Sequence, residues 1–274
     1  MSIKPQQQHL AGAAGRIAVQ VQGDSGAPVV FMSHSILSAS MMWDEQAALL
    51  AENGWRVLRA DTRGHGASDA PPAPYAMADL VADTVAVLDA LGIARAHYLG
   101  LSLGGMSGFG LGIHHARRLL SLCLCDARAD MPPAAAAVWP ERIAIAQQQG
   151  CAGLAASTTE RWFGKAFLEA NPGIAQRFNA SAAHTATAGF VGCARAIEGL
   201  DYLADVHRIT TPLTMIVGAN DGPLPQAMQA LQAMIPGSVL EVIAGAGHLP
   251  NIDQSAAFNA VLLRHLNKFH GDQP

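Results

Sequence analysis

The stretch Tyr98-Leu99-Gly100-Leu101-Ser102-Leu103-Gly104-Gly105-Met106 decides how the rest of this chain is read. It runs as a short apolar strand, a serine between glycines, and the opening of a helix. This is the G-x-S-x-G nucleophile elbow, a sharp strand-to-helix turn that presents a serine hydroxyl above the end of a sheet. Glycines flank it because strand and helix pass too close for side chains, and the serine's own backbone is strained. Alone the pattern decides nothing. With 27 glycines in 274 residues, it arises by chance in roughly one such chain in seven.

The neighbouring elements supply the context. Residues 16–21 alternate as a strand, and apolar runs at 28–32, 55–60, 96–99, 119–125, 212–217 and 239–243 read as further strands. Helical spacing falls between them at 38–53, 78–91, 103–118, 225–234 and 254–269. The second of these is marked by Leu80, Val81, Val85, Leu88 and Leu91 on one face and by Gly92 as its stop. Strands alternating with helices in this way predict an α/β fold with a mostly parallel central sheet flanked by helices. The rhythm breaks over 131–206, an alanine-rich, helix-prone stretch that opens with Pro132-Pro133 and holds no convincing strand. The expected organisation is a core of 1–130 and 207–274 with 131–206 inserted as a helical cap. Trp139, Trp162 and Phe163 would line the underside of that cap.

Composition narrows the functional classes. Half the residues are hydrophobic, 14% are charged and the net charge is -4, which suits a compact globular protein. There is no Lys/Arg cluster beyond Arg117-Arg118, so nothing favours nucleic acid. No segment approaches the ~20 apolar residues of a membrane span, and the start, Met1-Ser2-Ile3-Lys4-Pro5 and then glutamines, lacks the apolar core of a signal peptide. The four cysteines form no C-x-x-C pair; Cys123 and Cys125 share one face of a strand. They read as buried free thiols of a cytoplasmic protein. Homo-oligomerisation is left open.

A serine is a poor nucleophile until a histidine takes its proton and an acid orients that histidine. With an elbow serine the three come in the order Ser, Asp/Glu, His, each in a loop after a strand. His248, in Gly247-His248-Leu249-Pro250, follows the last strand and is the candidate base. Asp221, between Asn220 and Gly222, follows the strand before it and is the favoured acid. Asp126 competes for that role, since it follows Cys125 on a neighbouring strand end. Asp253 comes too late and reads as a helix N-terminal residue. His114 and His115 diverge on one helix and make a poor metal pair; His9, His265 and His270 read as solvated residues near the termini. An oxyanion needs two fixed N–H donors, here Leu103 just after the serine and Ile36 in the loop Ser33-His34-Ser35-Ile36. His34 reads as a brace for that loop.

With Asp61-Thr62-Arg63-Gly64-His65-Gly66-Ala67-Ser68 added to these motifs, nearly the whole chain resembles the α/β-hydrolase superfamily. In that superfamily the D-x-R-G-H-G-x-S loop is structural. Within it the chain is most similar to 3-oxoadipate enol-lactonases. The likeness rests on Val138-Trp139 with Arg142, Arg161-Trp162-Phe163, Cys193-Ala194 with Ala196-Ile197, and the tail from Ala246 to Gln254. The resemblance implies a Ser102-Asp221-His248 triad, no cofactor, no metal, and a small carboxylated enol-lactone of aromatic catabolism as substrate. Two positions depart from the family: His34 stands where it has asparagine, and Asp126-Ala127-Arg128 where it has a neutral Asn-Thr-Ala. A substrate carboxylate calls for a cation, for which Arg128 and Arg142 are candidates, with Trp139 as a pocket wall. The alternatives are a general small-ester esterase or perhydrolase, and a non-catalytic ligand-binding relative of the same fold.

Overall fold

The computed structural model describes residues 4–269; the leading Met1-Ser2-Ile3 and His270 lie outside the described residues. Eight strands form one sheet: β1 (Gln6–Gly12), β2 (Gly15–Gln22), β3 (Val29–Ser33), β4 (Arg56–Ala60), β5 (Ala96–Leu101), β6 (Leu119–Cys125), β7 (Leu213–Gly218) and β8 (Val239–Ile243). Their order is β1-β2-β4-β3-β5-β6-β7-β8. The pairs β1–β2 and β2–β4 are antiparallel, and β4 through β8 in that order are parallel. Every residue of β3, β5 and β7 is buried. Helices cover both faces of a parallel sheet, which is why its strands are continuous apolar runs without alternation.

The core helices are α1 (Asp44–Glu52), α2 (Met77–Ala90) and α3 (Leu103–His114). Between β6 and β7 lie α4 (Pro133–Ala136), α5 (Trp139–Gln149), α6 (Ala152–Phe163), α7 (Lys165–Ala170), α8 (Pro172–His184) and α9 (Thr187–Glu198). The chain then continues through α10 (Leu224–Met234), α11 (Pro250–Asp253) and α12 (Ser255–Asn267). Trp162, Phe163, Phe178 and Phe190 are buried among the inserted helices, with Trp162, Phe163 and Phe178 in mutual edge contact.

Four sequence expectations need correction. β1 was not anticipated, because Gln-Gln-Gln-His-Leu-Ala-Gly has little apolar alternation; it is an exposed edge strand held by backbone pairing to β2. The helix expected from residue 38 begins as a 3₁₀ turn at Ser40–Trp43 and becomes α-helical only at Asp44. The helix expected over 103–118 ends at His114, with a separate 3₁₀ turn at Ala116–Arg118. His265 is not solvated: it is 3% exposed, with Nδ1 2.9 Å from Thr214 Oγ1 and Nε2 2.8 Å from Ser121 Oγ. Its helix packs back onto β6 and β8, so closeness to the chain end does not mean exposure. All four cysteines are free and buried. Among the described residues no helix is long and apolar enough to cross a membrane.

Burial, and then repulsion from His97, pushes the pKa of His265 down to about 3. An unfolded histidine titrates near 6.5. The unfolded chain therefore binds this proton first, and the contribution of a neutral His265 is whole above about pH 6.5 and is lost as pH falls toward 3. A His265→Gln variant is expected to show a pH–stability slope shallower by about one proton between pH 6 and pH 4. Denaturant melts across that range read it, and an unchanged slope contradicts it.

Candidate active site

Ser102 has φ 54 and ψ -112, in the left-handed region that non-glycine residues rarely adopt. Its N–H donates to Cys125 O on β6 at 2.8 Å. A Cβ at Gly104 would stand 2.5 Å from Ser33 O, and one at Gly105 would stand 2.5 Å from Ala127 Cβ. Only with bare backbone at these two positions does the first turn of α3 fit between β3 and the loop after β6. Gly104 N–H donates to His34 O at 3.1 Å, tying the loop after β3 to the same turn. Among the described residues no backbone hydrogen bond uses the N–H of Ile36 or of Leu103, and α3 opens with Leu103, where a helix presents unsatisfied donors.

A frame of buried polar residues supports that loop. His34 is fully buried; its Nε2 accepts the Thr62 N–H at 2.8 Å, so Nδ1 donates to Ser35 O at 2.8 Å. His65 Nε2 accepts the Leu37 N–H at 3.1 Å. Burial lowers the pKa of His34 against the pull of Asp61, and burial with His34 nearby brings His65 down to about 3. Both rings are held as neutral hydrogen-bonding struts. Asp61 accepts from Ser40 and Ala67 N–H at 2.7 and 2.9 Å, while Arg63 pairs with Asp83 at 2.6 Å. These contacts give residues 61–68 a structural task.

Ser102, Asp126, Asp221 and His248 follow β5, β6, β7 and β8, four consecutive strands of the sheet, at their carboxyl ends. His248 Nδ1 lies 2.6 Å from Asp221 Oδ2, with both residues buried. The His248 N–H donates to Trp162 O at 2.9 Å, so the last residues of α6 hold the histidine loop. Asp253 is the acid in the first turn of a short helix. It ends the short α11, and its Oδ2 turns back to accept the Gly247 N–H at 2.6 Å; burial raises its pKa to about 6. Burial would also raise Asp221, but the charge and hydrogen bond of His248, then Arg161, hold it below the usual carboxylate range. Asp126 does not touch the imidazole through a hydrogen bond. Its Oδ1 accepts the Gly218 N–H at 2.9 Å. Asp126, Asp221 and His248 are the one cluster of three metal-ligating side chains among the described residues. The 2.6 Å Nδ1···Oδ2 separation is that of a shared proton, shorter than the gap between two ligands on one zinc-sized ion.

The candidate pocket arginines differ. Arg128 spends its charge on Asp130, at 2.9 Å from Nε and 2.8 Å from Nη2. Arg142 has no ion-pair partner among the described residues; it donates to Thr158 Oγ1 at 2.8 Å and sits 5.8 Å from the Trp139 ring centre. Burial, and then neighbouring Arg161, lowers its pKa. Trp139 packs 6.4 Å from Phe190. Arg161, whose Nη1 is 3.9 Å from Asp221 Oδ1, was not singled out from the sequence as a site residue. Its one signal was its place beside Trp162-Phe163.

A family model described as the alpha/beta hydrolase fold matches residues 28–255. The chain is 32% identical to 3-oxoadipate enol-lactonase 2 of Acinetobacter baylyi, covering 90% of this chain and 92% of that protein. It is 30% identical to a protein of Stutzerimonas stutzeri provisionally named carbamate hydrolase RutD, covering 88% and 92%. The crystal structure of the enol-lactonase from Burkholderia xenovorans superposes with a TM-score of 0.90 at 31% identity, covering 95% of this chain and all of that one.

The elbow packing makes a direct prediction. Gly104→Ala is expected to cost about 2 kcal/mol and on the order of 5 °C in Tm, because the new methyl meets backbone that cannot swing aside. Gly173→Ala, in α8 with nothing within 4 Å of the added Cβ, is expected to leave Tm unchanged or higher. Calorimetry of the two variants checks the contrast.

Proposed function

The chain belongs to the α/β-hydrolase family, and we propose that it is a serine hydrolase of small carboxylic esters or lactones, with a carboxylated enol-lactone of the 3-oxoadipate kind as substrate. The observation that carries this reading is the buried 2.6 Å pairing of His248 with Asp221, on strand ends that follow the one bearing the Ser102 elbow. In this reading Ser102 Oγ attacks the carbonyl carbon while His248 Nε2 takes its proton. Asp221, bonded to Nδ1, fixes the tautomer and stabilises the imidazolium. The carbonyl oxygen gains negative charge and receives the free N–H groups of Leu103 and Ile36. As the carbon–oxygen bond to the leaving group breaks, His248 returns the proton to that oxygen; in a lactone it stays tethered to the acyl-enzyme. Water then attacks the acyl carbon, losing its proton to His248, and the acid leaves as Ser102 is reprotonated. The scheme uses no cofactor and no metal.

Residues 1–130 and 207–274 act as the catalytic core and 131–206 as a cap over it, which the bond from His248 N–H to Trp162 O supports. Arg142, in no ion pair among the described residues and backed by Trp139, is the better cation for a substrate carboxylate; the ion pair with Asp130 leaves Arg128 less free. Four free thiols suit a reducing cytoplasm.

Ser102→Ala is expected to lower kcat by about 10³-fold or more on both p-nitrophenyl acetate and the enol-lactone, and to abolish labelling by a serine-directed phosphonate. Labelling that survives the substitution refutes the nucleophile. Arg142→Ala is expected to raise KM for the carboxylated lactone about tenfold, roughly 1.4 kcal/mol, while leaving that for uncharged p-nitrophenyl acetate nearly unchanged. Equal effects on both substrates would count against a carboxylate subsite.

A further inference from the structure

Asp126 is fully buried and is held at φ 44, a conformation non-glycine residues rarely adopt. Its N–H donates to Ile216 O at 2.9 Å, and its Oδ1 accepts the Gly218 N–H at 2.9 Å, so both ends of the residue are pinned to β7. Its Oδ2 is buried and receives no donor from the surrounding protein. One side-chain oxygen of Asp126, one of Asp221 and one ring nitrogen of His248 all lie within 4.8 Å of one another.

The charges around this carboxyl come from every side. The loop after β7 brings Asp221, the loop after β8 brings His248, α11 brings Asp253, and the buried Cys125 thiol precedes it on β6. Among the described residues, Arg161 from α6 is the one arginine or lysine in an ion pair with this cluster, 3.9 Å from Asp221 and half-exposed. A second buried anion beside Asp221 would have no counter-charge of its own, and two carboxylates at this range do not both ionise. Burial, then the charge of Asp221, pushes the Asp126 carboxyl well above its usual range, against the opposing Gly218 N–H. A protonated Asp126 resolves both difficulties: it carries no charge, and its orphaned oxygen becomes a donor facing an acceptor.

We propose that Asp126 is a positioning residue, a neutral carboxylic acid whose O–H donates to the Asp221 carboxylate and holds it in register on the Nδ1–H of His248. No bond is made or broken at Asp126 during turnover; its proton stays between the two carboxyl groups. The inference rests on the reading of Asp221 and His248 as partners of Ser102.

Infrared spectroscopy in D₂O at about pH 8 tests it, because Asp253, which titrates near 6, is then ionised. The wild-type protein is expected to show one protonated-carboxyl carbonyl band. Ser102→Ala is expected to keep that band and Asp126→Asn to lose it. Asp126→Asn, which retains both the acceptor for Gly218 and a donor for Asp221, is expected to keep kcat within about threefold. Asp126→Ala is expected to lose kcat by roughly 10- to 100-fold, the range for partners that orient a reacting group, with KM little changed. No band in the wild type overturns the proposal. So does full activity in Asp126→Ala, or a loss in Asp126→Asn equal to that in Asp126→Ala. If Ser102→Ala stays active while the band behaves as expected, it is the serine mechanism that fails, and the carboxyl pair stands.

Discussion

The carboxyl edge of the sheet depends on how closely the first turn of α3 approaches β3 and β6. Ser102 is kept in a backbone conformation that costs on the order of 1–3 kcal/mol, and the surrounding structure supplies the restraint. The Ser102 N–H is tied to Cys125 O, the Gly104 N–H to His34 O, and Gly104 and Gly105 admit neighbours that any side chain would push away. The same tight turn sets the buried start of α3 beside Ser102, and helix N–H groups and dipole there favour negative charge. One constraint thus fixes both the serine and the Leu103 N–H beside it, the two groups that the proposed mechanism uses.

Around that turn the protein pairs its buried arginines and keeps its buried histidines neutral. Arg63 is matched to Asp83, and Arg59 to Asp44. His34, His65 and His265 are neutral rings that each bond at both nitrogens, and they act as struts between segments far apart in sequence. The acid beside His248 is the exception. Asp221 stays ionised in a buried site because the imidazole and Arg161 favour its charge. That is the electrostatic arrangement a histidine base needs at its back. The inserted helices contribute directly, since the carbonyl of Trp162 and the guanidinium of Arg161 both come from the end of α6.

Much of this was legible in the chain. Apolar runs, helical periodicity and turn residues located seven of the eight strands within about two residues of their ends, together with the α/β class, because those signals reside in contiguous residues and need no partner to be read. The positions of Ser102, Asp221 and His248, each just after a strand, were legible for the same reason. β1 was not, because an exposed edge strand pairs mainly through its backbone, and its run of polar side chains carries little apolar alternation.

Which acid meets His248 was open in the sequence, where Asp126 and Asp221 both follow strands. The lateral order β6-β7-β8 decided it, bringing Asp221 to the imidazole and turning Asp126 toward Gly218, 92 residues away. Likewise His265 reads as a terminal, solvated residue until α12 folds back to seat it on Ser121, 144 residues distant. The sequence by itself determined the elements, their kind and the chemical groups that end them. The tertiary structure alone decided which groups share a proton and which charges are stripped of water, because hydrogen bonding and desolvation act over a few ångströms of space and are blind to separation along the chain.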